Sequence, residues 1–260
     1  MLLVVEIGNT TTSFAVFDSG TCLEVTKTQT SHLSDAQSIA THISRLRESF
    51  PELRDSAFCS VVPGLNGALQ EVLEEFPGGS ILRVSSALQL PFMLHYESPD
   101  TFGADRIALC AWSCERYPGE AVIALDIGTA ITVDVLSSAG EYLGGHIVPG
   151  LDLMAKALHE YTAQLPLVKI GQPQALVGSS TVDCIRNGII WNCVSGLEGV
   201  VRKISSWLER ERQETNIRVV ATGGSASLIA SILDITPELD ELAVLRGTRY
   251  LFEVNAASFR

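Results

Sequence analysis

The chain has 260 residues, 46% hydrophobic and 18% charged, which is enough apolar material for two domain cores and too much for a disordered chain. Its 30 acidic and 18 basic residues leave a net charge of −12, which argues against a nucleic-acid-binding surface and against anionic membranes. An anionic ligand is still allowed, because tight turns, helix N-termini and metal ions bind phosphate locally.

Strands are expected near 2–7, 12–18 and 22–30, with Asp18-Ser19-Gly20 turning the chain. Ile39, Ile43, Leu46 and Phe50 recur at helical spacing, and Ser34 is placed to cap that helix. The run from Ala57 to Val62 reads as a short strand, ended by Pro63-Gly64. Leu65, Leu69, Val72, Leu73 and Phe76 mark a second helix, which Gly78-Gly79 should end, and Ile81 to Val84 is another strand. A helix from Phe102 to Glu115 opens on Gly103-Ala104-Asp105-Arg106.

A new apolar strand begins at Ala121, and the three-strand opening repeats, turning at Ser138-Ala139-Gly140. A long helical tract covers about 181–211. The strand Ile217 to Ala221 leads into the glycine turn Thr222-Gly223-Gly224-Ser225, and a shorter helix and a C-terminal helix near 246–257 follow. Each half therefore reads as three strands and then alternating helix and strand, an α/β pattern with a mixed sheet in each domain. The boundary is expected at Tyr117-Pro118-Gly119, giving domains 1–117 and 118–260.

The six cysteines form no C-x-x-C pair and sit in apolar or helical patterns, so buried free thiols in a reducing compartment are expected. The opening Met1 to Glu6 lacks a basic region before its apolar run, which argues against a signal peptide and for a cytoplasmic protein. The five histidines make no zinc-type set, and neither a P-loop nor a Gly-x-Ser-x-Gly elbow occurs.

The most informative feature is a partial internal repeat. Val4-Val5-Glu6-Ile7-Gly8-Asn9-Thr10-Thr11 is answered by Leu125-Asp126-Ile127-Gly128-Thr129-Ala130. Each copy reads as strand, acid, glycine turn, strand. Glycine lets backbone N–H groups approach an anion, and the acid can hold a divalent metal, usually through water. Two such hairpins facing each other would grip a polyphosphate.

Duplicated domains of this kind resemble the acetate kinase, sugar kinase, heat-shock cognate and actin superfamily: two actin-like (ribonuclease H-like) domains with an ATP cleft between them. The series Glu6-Ile-Gly-Asn-Thr10, Gly103-Ala-Asp-Arg106, Asp126-Ile-Gly-Thr-Ala130, Gly144-Gly145-His-Ile-Val-Pro149-Gly150, Ser180-Thr181-Val-Asp-Cys-Ile-Arg-Asn-Gly188 and Thr222-Gly-Gly224 is similar to the type III pantothenate kinases. That resemblance implies transfer of the ATP γ-phosphoryl group to the primary hydroxyl of pantothenate, the first step of coenzyme A biosynthesis. It also implies magnesium, a monovalent cation (potassium or ammonium), and a homodimer with the pantothenate pocket at the subunit interface.

Carried onto this chain, the resemblance makes Asp105 the proton acceptor, against the plain alternative of a helix-start acid favoured by the macrodipole. Arg106 suits the pantothenate carboxylate, because its fork binds two oxygens, and would equally serve a structural ion pair. Tyr96 matches a substrate contact or is a core aromatic, and Thr181 matches a substrate contact or is a helix N-cap. Gly103 and Ala104 belong to the substrate-binding set.

For ATP, the set is Glu6, Ile7, Gly8, Asn9, Thr10, Thr11, Thr12 and Ser13, with Thr129, Gly223 and Gly224. Asp126 is expected to hold the monovalent cation, or else to cap its turn. Gly144 and Gly145 approach substrate or shape a strand bend. Position 6 departs from the family pattern, which has Asp where this chain has Glu6. The carboxylate reaches one methylene further, about 1.5 Å, which is large against magnesium's near-octahedral geometry. That departure motivates an alternative: a weak or inactive relative acting as a nucleotide-binding accessory regulator.

Overall fold

The computed structural model describes residues 1–75 and 79–256. The chain forms two compact units, Met1–Pro118 together with the C-terminal segment from Leu242, and Gly119–Glu241.

The first unit contains β1 (Leu2–Ile7), β2 (Thr11–Asp18), β3 (Thr21–Gln29), α1 (Ala36–Ser49), β4 (Asp55–Ser60), α2 (Pro63–Glu74), β5 (Ile81–Arg83), β6 (Met93–Leu94) and α3 (Ala104–Arg116). Its main sheet has the order β3-β2-β1-β4-β5. The first three strands are antiparallel neighbours, and β1, β4 and β5 run parallel. β1 lies at the centre, so Leu2, Leu3, Val4 and Val5 are buried on both faces. β3 lies at the edge, and its burial alternates.

The second unit contains β7 (Ala121–Ile127), β8 (Ala130–Leu136), β9 (Glu141–Pro149), α4 (Leu151–Glu160), α5 (Thr181–Glu211), β10 (Ile217–Thr222), α6 (Ala226–Ala230) and β11 (Glu238–Leu239). Its strands run β9-β8-β7-β10-β11, the same order as in the first unit. The duplication expected from the hairpin sequences therefore extends to the order of these five strands. Ile185, Ile189, Ile190 and Val194 of α5 pack into this unit's own core with Ile123, Leu125 and Val133. The apolar spacing of α5 is thus satisfied within the unit.

Several local expectations change. Asp35, not Ser34, caps α1: its Oδ1 accepts from the Ser38 N–H at 2.8 Å, and the Ser38 hydroxyl accepts from the Asp35 N–H at 3.3 Å. α4 follows the Pro149-Gly150 break and was not expected, although Leu151, Met154, Ala155 and Leu158 recur at helical spacing and pack on this unit's core. Gly144, at φ +128°, sits beside a register shift between β8 and β9, so it shapes a strand bulge as its alternative reading had it. Phe76 and Gly78, expected at the end of α2, lie outside the described residues, as does position 257 of the expected C-terminal helix.

The largest difference concerns α7 (Ala243–Asn255), which sequence order placed with 118–260. It packs on α3 in the first unit. Gly247 permits the approach, because a β-carbon there would strike the Ala108 carbonyl. Arg249 pins the pair by donating to Glu115 at 2.5 Å and to Glu253 at 2.6 Å. Burial alone would lower the Arg249 pKa, but bonds to these two carboxylates hold it raised.

Candidate active site

Glu6 and Asp126 occupy equivalent places. Each is the one half-buried residue near the end of an otherwise buried central strand. Each stands opposite a hydroxyl residue on the next strand, Glu6 opposite Ser13 and Asp126 opposite Thr132. The turns that follow differ in length. Gly8-Asn9-Thr10 links β1 to β2 and closes through the Gly8 N–H to the Thr11 carbonyl at 3.0 Å. Gly128-Thr129 links β7 to β8 and closes through the Gly128 N–H to the Ala130 carbonyl at 3.0 Å.

Each loop is also tied down from behind by the first residue after its unit's third strand. The Thr30 N–H donates to the Thr10 carbonyl at 2.9 Å, and the Gly150 N–H donates to the Thr129 carbonyl at 3.0 Å. Thr30 adds a side-chain bond, its Oγ1 donating to the Gly8 carbonyl at 2.7 Å. Sequence reasoning missed Thr30, because it lies far along the chain in an unremarkable Thr-Gln-Thr-Ser run. These ties hold the loops in the rigid form that anion binding by backbone N–H groups needs.

Within the first expected ATP-binding set, Asn9, Thr10 and Thr11 are exposed. Thr12 is fully buried and shares a 2.9 Å hydrogen bond with the Thr30 hydroxyl. Ile7 and Ser13 are buried too. These three lie beneath the loop, and Asn9, Thr10 and Thr11 form its exposed tip.

The start of α3 gathers a second cluster. Gly103 is its N-cap residue, and Asp105 Oδ1 accepts from the Arg106 N–H at 2.8 Å. That bond fixes the carboxylate at the helix start, where the macrodipole favours its charge. Arg106 is buried, with its guanidinium carbon 4.5 Å from the Phe102 ring centre and 6.0 Å from that of Tyr96. Tyr96 and Phe102 meet edge to face at 5.0 Å. Tyr96, Gly103, Ala104, Asp105 and Arg106 are therefore brought together, although Tyr96 lies outside the motif. Phe102, not singled out before, holds both Tyr96 and Arg106 in place.

In the second unit, the Asp126 carboxylate lies against glycine backbone. A β-carbon at Gly223, whose φ is +96°, would run into Asp126 Oδ1 and the Ile127 backbone, and one at Gly128 would come within 3.3 Å of the same oxygen. Gly223 thus makes room for Asp126, where the sequence had suggested only nucleotide approach; Gly224 is exposed with open space above it. Thr132 Oγ1, opposite Asp126, is buried without a hydrogen-bond partner. A carboxylate beside an unsatisfied hydroxyl oxygen suits a hard cation such as potassium. Among the described residues no three His, Cys, Asp or Glu side chains cluster as a metal site, and no helix is long and apolar enough to cross a membrane.

Thr181 does not cap α5. Ser180 does, its Oγ accepting from the Asp183 N–H at 3.2 Å and donating to Asp183 Oδ2 at 2.6 Å. Thr181 is exposed and lines a mainly apolar groove of about 970 Å³ with Leu153 of α4, Tyr161 just after α4, and Cys184 and Ile189 of α5. Cys184 is exposed, against the expectation of burial. Cys59, Cys110 and Cys193 are buried, and burial pushes the Cys114 and Cys193 thiols up to about 11.

The model of the family described as type III pantothenate kinase matches residues 2–203. A type III pantothenate kinase of Chlorobium luteolum is 50% identical, over 98% of this chain and 94% of its own length. One from Chlorobaculum tepidum is 41% identical, over 97% and 94%. Among solved structures, a Campylobacter jejuni protein named for the Baf family of transcriptional activators aligns with a TM-score of 0.57 at 20% identity, covering 98% of this chain and 99% of its own. A Sinorhizobium meliloti protein named for 2-dehydro-3-deoxygalactonokinase gives 0.56 at 11%, covering 98% and 99%. Both structural likenesses speak for the actin-like fold alone. By sequence, over nearly its full length, the chain belongs to the type III pantothenate kinase family.

Proposed function

We infer that this protein transfers the γ-phosphoryl group of ATP to the hydroxyl of pantothenate, forming 4′-phosphopantothenate at the entry to coenzyme A biosynthesis. The observation that carries the reading is the α3 cluster, Asp105 fixed by the Arg106 amide and Arg106 packed on Tyr96 and Phe102, in a chain of this family.

The hydroxyl oxygen of pantothenate attacks the γ-phosphorus, ADP departs, and the Asp105 carboxylate accepts the hydroxyl proton. Arg106 pairs with the pantothenate carboxylate, and Tyr96, Gly103, Ala104 and Thr181 complete its contacts. Asn9, Thr10, Thr11 and Thr129 bind the ATP phosphates, Gly8 and Gly128 turn their loops, and Gly224 leaves room for the nucleotide. Glu6 would hold magnesium through water, and the ion would supply neutralisation of the phosphate charge. Asp126, seated against Gly223, would hold the monovalent cation, potassium or ammonium.

The protein works as a homodimer on this reading. Support comes from the apolar groove beside Thr181 and its exposed apolar surroundings, with Tyr161 at 86% and Val177 at 79% exposure. The two domains follow the two compact units. The cytoplasm, where ATP is supplied, is the proposed compartment, and the charge of −12 speaks against nucleic-acid and membrane partners.

The test is pantothenate-dependent ADP release by the purified protein with magnesium-ATP and potassium. Turnover that requires pantothenate and collapses when sodium replaces potassium supports the reading. Tight ATP binding without turnover overturns it in favour of a nucleotide-binding regulator. Light scattering tests the dimer separately. Glu6→Asp is expected to leave activity equal or higher; complete loss would remove Glu6 from the magnesium role.

A further inference from the structure

Thr132 carries no role in the reading above, yet it is the buried hydroxyl nearest in register to Asp126. The two residues are direct partners across the antiparallel β7–β8 ladder, so their side chains project from the same face of the sheet. Thr132 is only 7% exposed, and its Oγ1 has no hydrogen-bond partner. Leaving a buried hydroxyl unsatisfied is costly, and Thr132 lies on the sheet face of Asp126 and Asp134, opposite the one on which Ile131, Val133 and Val135 join the apolar core. The orphaned oxygen stands in the register position beside the carboxylate for which Gly223 and Gly128 leave space.

We propose that Thr132 Oγ1 is a second protein ligand of the monovalent cation held by Asp126, and that it sets the preference of the site among potassium, ammonium and sodium. The proposal rests on the Asp126 reading given above. A carboxylate with a neutral hydroxyl supplies one negative charge and two oxygen donors, so a single monovalent charge is balanced without excess. The hydroxyl keeps its proton and offers a lone pair, which satisfies the group that the protein alone leaves unsatisfied. The first unit repeats the pairing as Glu6 opposite Ser13, so an acid beside a hydroxyl is a feature of both sheets.

Thermal unfolding of the full-length protein with magnesium-ADP, at constant ionic strength made up with choline chloride, tests this for potassium, ammonium and sodium. Thallium-205 NMR provides a direct reading of the bound ion. In the wild-type protein, potassium is expected to raise Tm in a saturable way. Thr132→Val is expected to match or exceed the wild-type Tm in choline, because it removes an unsatisfied hydroxyl. It should also raise the potassium half-saturation at least tenfold and weaken the thallium signal, and Thr132→Ser should restore both. A Thr132→Val protein that binds potassium within twofold of wild type overturns the role of Thr132 while leaving Asp126 in place. A wild-type protein with neither potassium-dependent Tm nor bound thallium overturns the Asp126 reading and this one with it. A fall in the choline Tm of Thr132→Val with unchanged potassium binding marks the hydroxyl as structural and also overturns the proposal.

Discussion

Gly103 lies directly beneath the carboxylate of Asp105: a β-carbon on Gly103 would stand 2.5 Å from Asp105 Oδ1. Gly223 has the same relation to Asp126 in the other unit. The glycines of these two motifs therefore leave space for an acid, beyond any role in approaching a ligand.

Gly223→Ala should destabilise the protein by about 1–3 kcal/mol, from the φ of +96° and the collision with the Ile127 backbone. Gly224→Ala, where a β-carbon meets nothing within 4 Å, should stay within about 0.5 kcal/mol of wild type. Urea unfolding of the two variants makes the comparison.

Asp105→Asn should keep the fold, because an amide oxygen still accepts from the Arg106 N–H. Loss of the proton acceptor should lower kcat by roughly 10²–10⁴ with little change in the KM for ATP. Steady-state kinetics, with circular dichroism as the fold control, checks both halves. A kcat within threefold of wild type would remove Asp105 from the catalytic role.

Thr30→Val removes the 2.7 Å bond to the Gly8 carbonyl and the 2.9 Å bond to Thr12 while keeping the shape of the side chain. The unsatisfied buried oxygens should cost about 1–3 kcal/mol. The loosened Gly8-Asn9-Thr10 loop should raise the KM for ATP more than the KM for pantothenate. Chemical denaturation and two-substrate kinetics read the two effects.

His42 stacks on Phe14 with ring centres 5.3 Å apart, and burial, followed by repulsion from Arg45, lowers its pKa below the ordinary 6.5. The unfolded chain then binds the proton more readily than the folded one, so stability falls as pH drops through about 6.5 and below. His42→Gln should flatten the dependence of the urea midpoint on pH between about 7 and 5. An unchanged slope would assign the pH dependence to other groups.

The hairpins were legible because their signals are local. Apolar runs ending in Glu6-Ile7-Gly8 and Asp126-Ile127-Gly128 specify strand and turn from residues a few positions apart, and the repeat makes one explain the other. The strand order, once seen to be shared by both sheets, follows from that repeat. Asp105 and Arg106 were readable as a motif, but the packing of Arg106 on Tyr96 and Phe102 was not, since the intervening segment has no regular period.

By itself, the sequence determined the α/β class, the duplicated hairpins, the long α5 and the residue types offered to phosphate and carboxylate groups. Only the tertiary structure decided that α7 closes on α3, that Thr30 and Gly150 tie the loops from behind, that Thr12 is buried support, and that Thr132 stands beside Asp126. The physical reason is range. Strand, turn and helix signals act over a few residues, whereas strand register and close backbone approach join residues far apart in the chain, and no local pattern encodes which distant partner will fill a given space.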